Sequence, residues 1–205
     1  MTDHASSTTA APHSPRGATP VLLTTGFALF VGVLAALVGA AFARRDVAVY
    51  VPTPPLGTPA RSGAIDTVTM DAGDPERWRY FSFTRGVLPP GDTAAWDLAF
   101  RRFHVMTSGS IATDSVQPFD RLVEAPAGGY VATTFASDTV NPAVARWYRY
   151  SFVTHLLKPA PRVYVVRTNR GAFAKLEFLG YYCPGPAPGC VTFRYAQARE
   201  GRRFE

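Results

Sequence analysis

Cys183 and Cys190 are the only cysteines in the chain, and they bracket the run Pro-Gly-Pro-Ala-Pro-Gly. If that run is a turn joining two strand ends, the two sulfurs meet and can bond. Closing so small a loop contributes about 2.5 kcal/mol in the chain-entropy model. A zinc site would need two further ligands nearby, and a redox pair would need the tighter Cys-x-x-Cys spacing. Neither is present. No Gly-rich phosphate loop follows a strand, and there is no nucleophile elbow and no His-Glu-x-x-His metal motif. Asp97, with Arg101 four residues on, reads as one half of a structural ion pair. The residues therefore point away from an enzyme, and no cofactor is expected from them alone.

The elements that position these residues are strands. WRYFSF (78–83) is short, aromatic and alternating. In AAWDLAFRRFHVMT (94–107), Trp96, Leu98 and Phe100 fall on one face and Asp97 and Arg101 on the other; continued parity puts His104 and Met106 with Phe100. YVATTF (130–135) and RWYRYSFV (146–153) are similar. RVYVVRTNRGAFAKLEFLGYYC holds two runs divided by Thr168-Asn169-Arg170-Gly171, a hairpin signal. In its second run Lys175 and Glu177 are expected to point out, and Ala174, Leu176 and Phe178 in. GCVTFRYA (189–196) then returns, which predicts a three-strand antiparallel meander closed by the cysteine pair.

One segment is different. Val21–Ala43 holds 23 residues without a charge, about 34 Å as a helix, enough to cross a bilayer core. Ala41-Phe42-Ala43 resembles a signal-peptide cleavage site, but the run is longer than a signal h-region and starts later. An uncleaved transmembrane anchor is the expectation. Gly32, Ala36 and Ala40 fall four apart, a spacing that lets a partner helix approach closely in lipid. Residues 1–20 read as a disordered tail and 44–63, with four closely spaced prolines, as an extended spacer. The domain would then occupy 64–205. Topology is contested: Arg44, Arg45 and Arg61 against Arg16 alone favour a cytoplasmic domain, whereas a disulfide favours an oxidising compartment. The disulfide carries more weight, so a bacterial inner-membrane protein with a periplasmic domain is expected.

The formal net charge is +6, but residues 64–205 hold 17 Lys/Arg against 13 Asp/Glu, scattered along the chain. Nucleic-acid binders cluster such charge into a stripe or arm, so that class is set aside.

WRYFSF, then WDLAF (96–100) with Arg102 and Thr107-Ser108-Gly109, then YVVRTNRGAFAKLEFLGYY and VTFRYA together resemble the HmuY-like domain, over roughly residues 64–198. The resemblance implies an all-β fold of two twisted antiparallel sheets, a sandwich here preceded by one transmembrane α-helix. It also implies bacterial surface haem binding through axial side chains. The family's first ligand would fall where this chain has Arg101 and Arg102, so the ligands that remain are His104, Met106 and His155.

Two functions follow. One is a non-catalytic extrinsic subunit that docks on and stabilises a larger membrane complex, through the anchor helix and the β domain; a photosynthetic reaction-centre or antenna assembly is one host of that kind. The alternative is a membrane-tethered haem or porphyrin binder of the HmuY type.

Overall fold

The computed structural model describes residues 18–42, 47–57, 61–108, 111–115, 117–133 and 140–204, with 18–22, 40–42 and 111–115 described by their backbone alone. The chain divides into two units, Met1–Asp46 and Val47–Glu205.

The first unit contains the helix α1, Ala18–Phe42, 25 residues without Asp, Glu, Lys or Arg. Every described side chain in it, Leu23 to Gly39, is exposed. Over the residues so described, no helix is long and apolar enough to cross a membrane; that stretch is the inner part of α1, and the helix continues beyond it at both ends. A Cβ added at Gly32 would meet nothing within 4 Å. The side chain of Ala40 lies outside the described residues.

The second unit is all antiparallel β. Its strands are β1 (Ile65–Asp71), β2 (Arg79–Ser82), β3 (Gly86–Val87), β4 (Leu98–Arg101), β5 (His104–Thr107), β6 (Ile111–Ser115), β7 (Val131–Ala132), β8 (Tyr148–Ser151), β9 (Leu156–Pro159), β10 (Val163–Arg167), β11 (Phe173–Cys183) and β12 (Ala187–Gln197). A six-stranded sheet runs β1-β12-β11-β10-β6-β7, a four-stranded sheet runs β3-β2-β4-β5, and β8 and β9 form a separate two-stranded ribbon. The ribbon is an addition to the two sheets expected.

The main core lies between the two larger sheets. Phe81 packs edge-on to Phe193 and Tyr195, and Phe100 stacks on Phe193. Strand alternation selects these residues: Tyr164 and Val166 on β10, and Ala174, Leu176 and Phe178 on β11, all face inward. The β10-β11-β12 meander forms as the sequence predicts. Its first turn is closed by Gly171 N–H on the Thr168 carbonyl, with Gly171 at φ 81°, a left-handed conformation that glycine adopts without a Cβ penalty. The second is crossed by the Cys183–Cys190 disulfide.

Lys175 departs from expectation. Alternation does place it on the opposite face from Leu176, but that face is covered. The 3-10 turn Phe119–Arg121, Leu122, Ala125 and the C-terminal Phe204 form a second apolar cluster over Val163, Val165 and Ala196. Lys175 is therefore only 5% exposed. Its Nζ donates to the carbonyls of Phe119 and Leu122, each at 2.9 Å, beside the Phe119 and Phe204 rings. A buried ammonium is tolerable because carbonyls left over from the short turn accept from it.

The proline-bearing segment 47–57 is fastened along the β unit, with a turn at Pro55 and Leu56. Tyr50 N–H donates to the Tyr182 carbonyl (2.8 Å), Thr53 N–H to Thr69 (2.9 Å) and Leu56 N–H to Val87 (2.8 Å). The Tyr50 ring lies against Gly180, where a Cβ would sit 2.3 Å from Cε2.

Candidate functional site

The β4–β5 hairpin turns on two residues, Arg102 and Phe103, with Arg102 at φ 54°. Its register pairs Leu98 with Thr107, Ala99 with Met106, Phe100 with Val105 and Arg101 with His104. Directly opposed residues share a face, so His104 and Met106 stand with Ala99 and Arg101, opposite to Phe100. The sequence reading had them on the Phe100 face. It ran one parity through the whole segment, and the two-residue turn reverses it. His104 is half-buried with its ring 4.5 Å from that of Phe103. Met106 is 6% exposed.

Asp97 is also corrected in its partner. Arg101 instead lies over the Trp78 ring, 4.7 Å from its centroid. The Asp97 carboxylate is fully buried; Oδ2 accepts from Phe83 N–H (2.8 Å) and the Ser82 hydroxyl (3.2 Å), with Arg170 at 3.9 Å. Oδ1 has no hydrogen-bond partner. Burial raises the carboxyl pKa above its ordinary value, against the Phe83 N–H and the Arg170 charge. This group joins β2 to the start of β4, and it is a structural tie.

His155 sits at the tip of the β8–β9 ribbon, exposed, at φ 53°. The Tyr150 hydroxyl and His155 Nδ1 share a hydrogen bond of 2.8 Å, which leaves Nε2 without one. Around them the tip is apolar and open: Phe152 is 83% and Val153 84% exposed, and Tyr150 packs edge-on to Phe152. Exposed large apolar side chains grouped in this way make the tip a candidate interaction surface. Cations flank the tip. Arg149 and Lys158 are directly opposed across the ribbon, both exposed, with Arg146 exposed nearby. From Thr139 to Leu176 the sequence has no Asp or Glu. The base of the ribbon is fixed to the body where Leu157 N–H donates to the Tyr182 hydroxyl (2.8 Å) and the Trp147 indole N–H to the Phe103 carbonyl (2.8 Å).

The candidate ligands are thus split: His104 and Met106 on the four-stranded sheet, His155 on the ribbon. Among the described residues no group of three or more His, Cys, Asp or Glu could hold a metal ion. The Tyr150–His155 pair escapes sequence reasoning because its spacing of five becomes a contact only once Ser151 to Leu156 is known to close a ribbon.

The model of the HmuY protein family matches residues 74–195. Among solved structures, a Bacteroides fragilis protein described as a lipoprotein matches with TM-score 0.58 and 19% identity, covering 71% of this chain and 96% of that one. The apo HmuY analog of Tannerella forsythia, TFO, matches with TM-score 0.56 and 19% identity, covering 67% and 97%. A Bacteroides vulgatus protein described as HmuY-like and haem-binding matches with TM-score 0.57 and 22% identity, covering 66% and 93%. A search of curated proteins finds no match. With the family model spanning more than half of the chain, over residues 74–195, this protein belongs to the HmuY family.

Proposed function

We propose that this protein is a non-catalytic, membrane-anchored binder of haem or a related porphyrin, with its β unit in an oxidising compartment outside the bilayer. The family match over 74–195 carries this reading; it outweighs the extrinsic-subunit reading that the anchor alone suggests. The disulfide fits the compartment. At 1.5 Å per residue the 25-residue α1 has a length of about 37 Å, against roughly 30 Å of hydrocarbon, so it suits a single-pass anchor.

His155 fits a haem ligand in part. The Tyr150 hydroxyl, on Nδ1, holds the ring orientation, and in the tautomer that carries its proton on Nδ1 the Nε2 lone pair faces outward for a metal. Haem would supply an iron that accepts this nitrogen. Tyr150 and Phe152 offer ring faces, and Arg149 and Lys158 offer cations to carboxylates. Met106 is shut inside and does not fit without movement; His104 is half-buried on a different sheet.

The test is haem titration of the full chain in lipid nanodiscs, with empty nanodiscs as the control. A saturable Soret band at micromolar haem is expected. His155→Ala should abolish it or shift it, and Tyr150→Phe should weaken it. If the native chain gives no saturable band, its likeness to the family is one of fold alone.

The extrinsic-subunit reading retains one favouring observation, the unobstructed Gly32–Ala36 face of α1. No finding points to a photosynthetic host. Ala36→Leu keeps the helix apolar but fills that face. If a partner helix packs there, the native chain should co-purify in a large complex after mild extraction and the variant should run free. A native chain that runs alone makes α1 a tether.

A further inference from the structure

A cavity of about 290 Å³ opens where segment 52–55 crosses the mouth of the sandwich. Thr53 ties that segment to β1 through both its backbone N–H and its hydroxyl, which accepts from Thr69 N–H at 2.9 Å. Leu56 ties it to β3. The strap therefore bridges an edge strand of each large sheet and roofs the gap between them. Below it the walls are apolar: Met70, Val87 and Leu88, with Pro52, Pro54, Pro55 and Pro90.

One cation lines this cavity. Arg79 stands on β2 two residues before Phe81, hence on the inward face that carries the core. It is half-buried, and its Nε is fully buried with no hydrogen-bond partner. Among the described residues the guanidinium makes no hydrogen bond or ion pair. Asp71 also lines the cavity; it makes no ion pair with Arg79, is exposed and accepts Gly73 N–H at 3.4 Å. Asp74 feels the Arg79 charge only as the smallest of its interactions. Nε is closed to solvent, so a ligand in the cavity meets the guanidinium at its terminal amino groups, whose planar, charged geometry matches a carboxylate.

We propose that this cavity is a binding site for a small amphipathic carboxylic acid, with its carboxylate on Arg79 and its alkyl chain against Met70, Leu88 and the strap prolines. The volume lies at the lower end of small-molecule pockets, roughly 300 Å³ upward, which suits a short or medium-chain acid. None of the ribbon-tip residues lines it, so the site is independent of the haem reading.

Hexanoate and hexanamide are the probes, titrated calorimetrically into the full chain in nanodiscs with empty nanodiscs subtracted. Saturable hexanoate binding is expected, with hexanamide at least tenfold weaker. Arg79→Gln should weaken hexanoate at least tenfold and leave hexanamide unchanged. Hexanamide binding as tightly as hexanoate, no saturable hexanoate binding, or a folded Arg79→Gln chain that still binds hexanoate normally would each overturn the proposal. If Arg79→Gln fails to fold by circular dichroism, the acid-against-amide comparison on the native chain decides alone.

Discussion

Replacing Lys175 with Met should destabilise the β unit by about 2–4 kcal/mol, and the figure follows from what surrounds Nζ. Met keeps the length and the apolar stem, so little packing is lost. Two hydrogen bonds from a charged donor disappear, to Phe119 and Leu122 at 2.9 Å each. At roughly 1.5–3 kcal/mol apiece they sum to about 3–6 kcal/mol. Loss of the ring contacts with Phe119 and Phe204, at 4.7 and 5.2 Å, adds about 0.5–2 kcal/mol. Opposing both is the relief of desolvating an ammonium, several kcal/mol even after relaxation. The carbonyls decide the balance, because Met leaves them buried without that donor. Trp78, Trp96 and Trp147 all lie in the β unit and none in α1, so tryptophan fluorescence during urea unfolding reports on the β unit alone. With a slope near 2 kcal/mol per molar, the midpoint should fall by about 1–2 M at unchanged slope. A Lys175→Met chain within about 0.5 kcal/mol of native, or more stable, would refute the reasoning. The outer layer would then rest on apolar contact only.

Asp97 should make the native fold less stable as pH rises. Its carboxyl pKa is raised in the fold, so its contribution is full below the unfolded pKa and is lost as pH climbs through the folded one. Asp97→Asn should flatten that slope in pH-dependent urea midpoints. Asp97→Ala should cost about 1–3 kcal/mol more than Asn, because the buried Phe83 N–H loses its acceptor; equal costs would count against this account. Lys158→Glu should stabilise the ribbon by roughly 0.5 kcal/mol, by replacing a like-charge pair with an opposite one, and should weaken haem binding. A gain in haem affinity would contradict the role given to the ribbon cations.

The parts of the fold that were legible in the sequence are those where alternation and a turn signal agree. Val163 to Ala196 shows both, and its pairing, its Gly171 turn and its disulfide all follow. What alternation conveys is which residues share a face, never what covers that face. Lys175 illustrates this: it lies opposite Leu176 as expected, but the cover comes from residues 119–125 and 204, which have no regular period. The His104 error has a similar origin, since parity survives a hairpin only if the loop length is known, and Arg102-Phe103 has no turn signature. The prolines of segment 47–57 suggest a free spacer, whereas Tyr50, Thr53 and Leu56, which look ordinary in sequence, bind the segment to the β unit. The Arg79 cavity was out of reach for the same reason. Its walls come from a strap and three strands, and no local pattern brings them together.

The ribbon carries two features that cost the folded chain stability. Arg149 and Lys158 face each other directly and both are exposed, an arrangement that costs the ribbon stability. The surrounding stretch has no acidic residue to relieve it, while Phe152 and Val153 leave large apolar surface in water. None of these four side chains belongs to the core, which the ribbon joins through Trp147, Tyr148, Leu156 and Leu157. An apolar partner on Phe152 and Val153 and an anionic group on Arg149 and Lys158 would offset them. Under the proposed function a porphyrin with its carboxylates would be such a partner, with His155 as the candidate ligand that the ribbon presents.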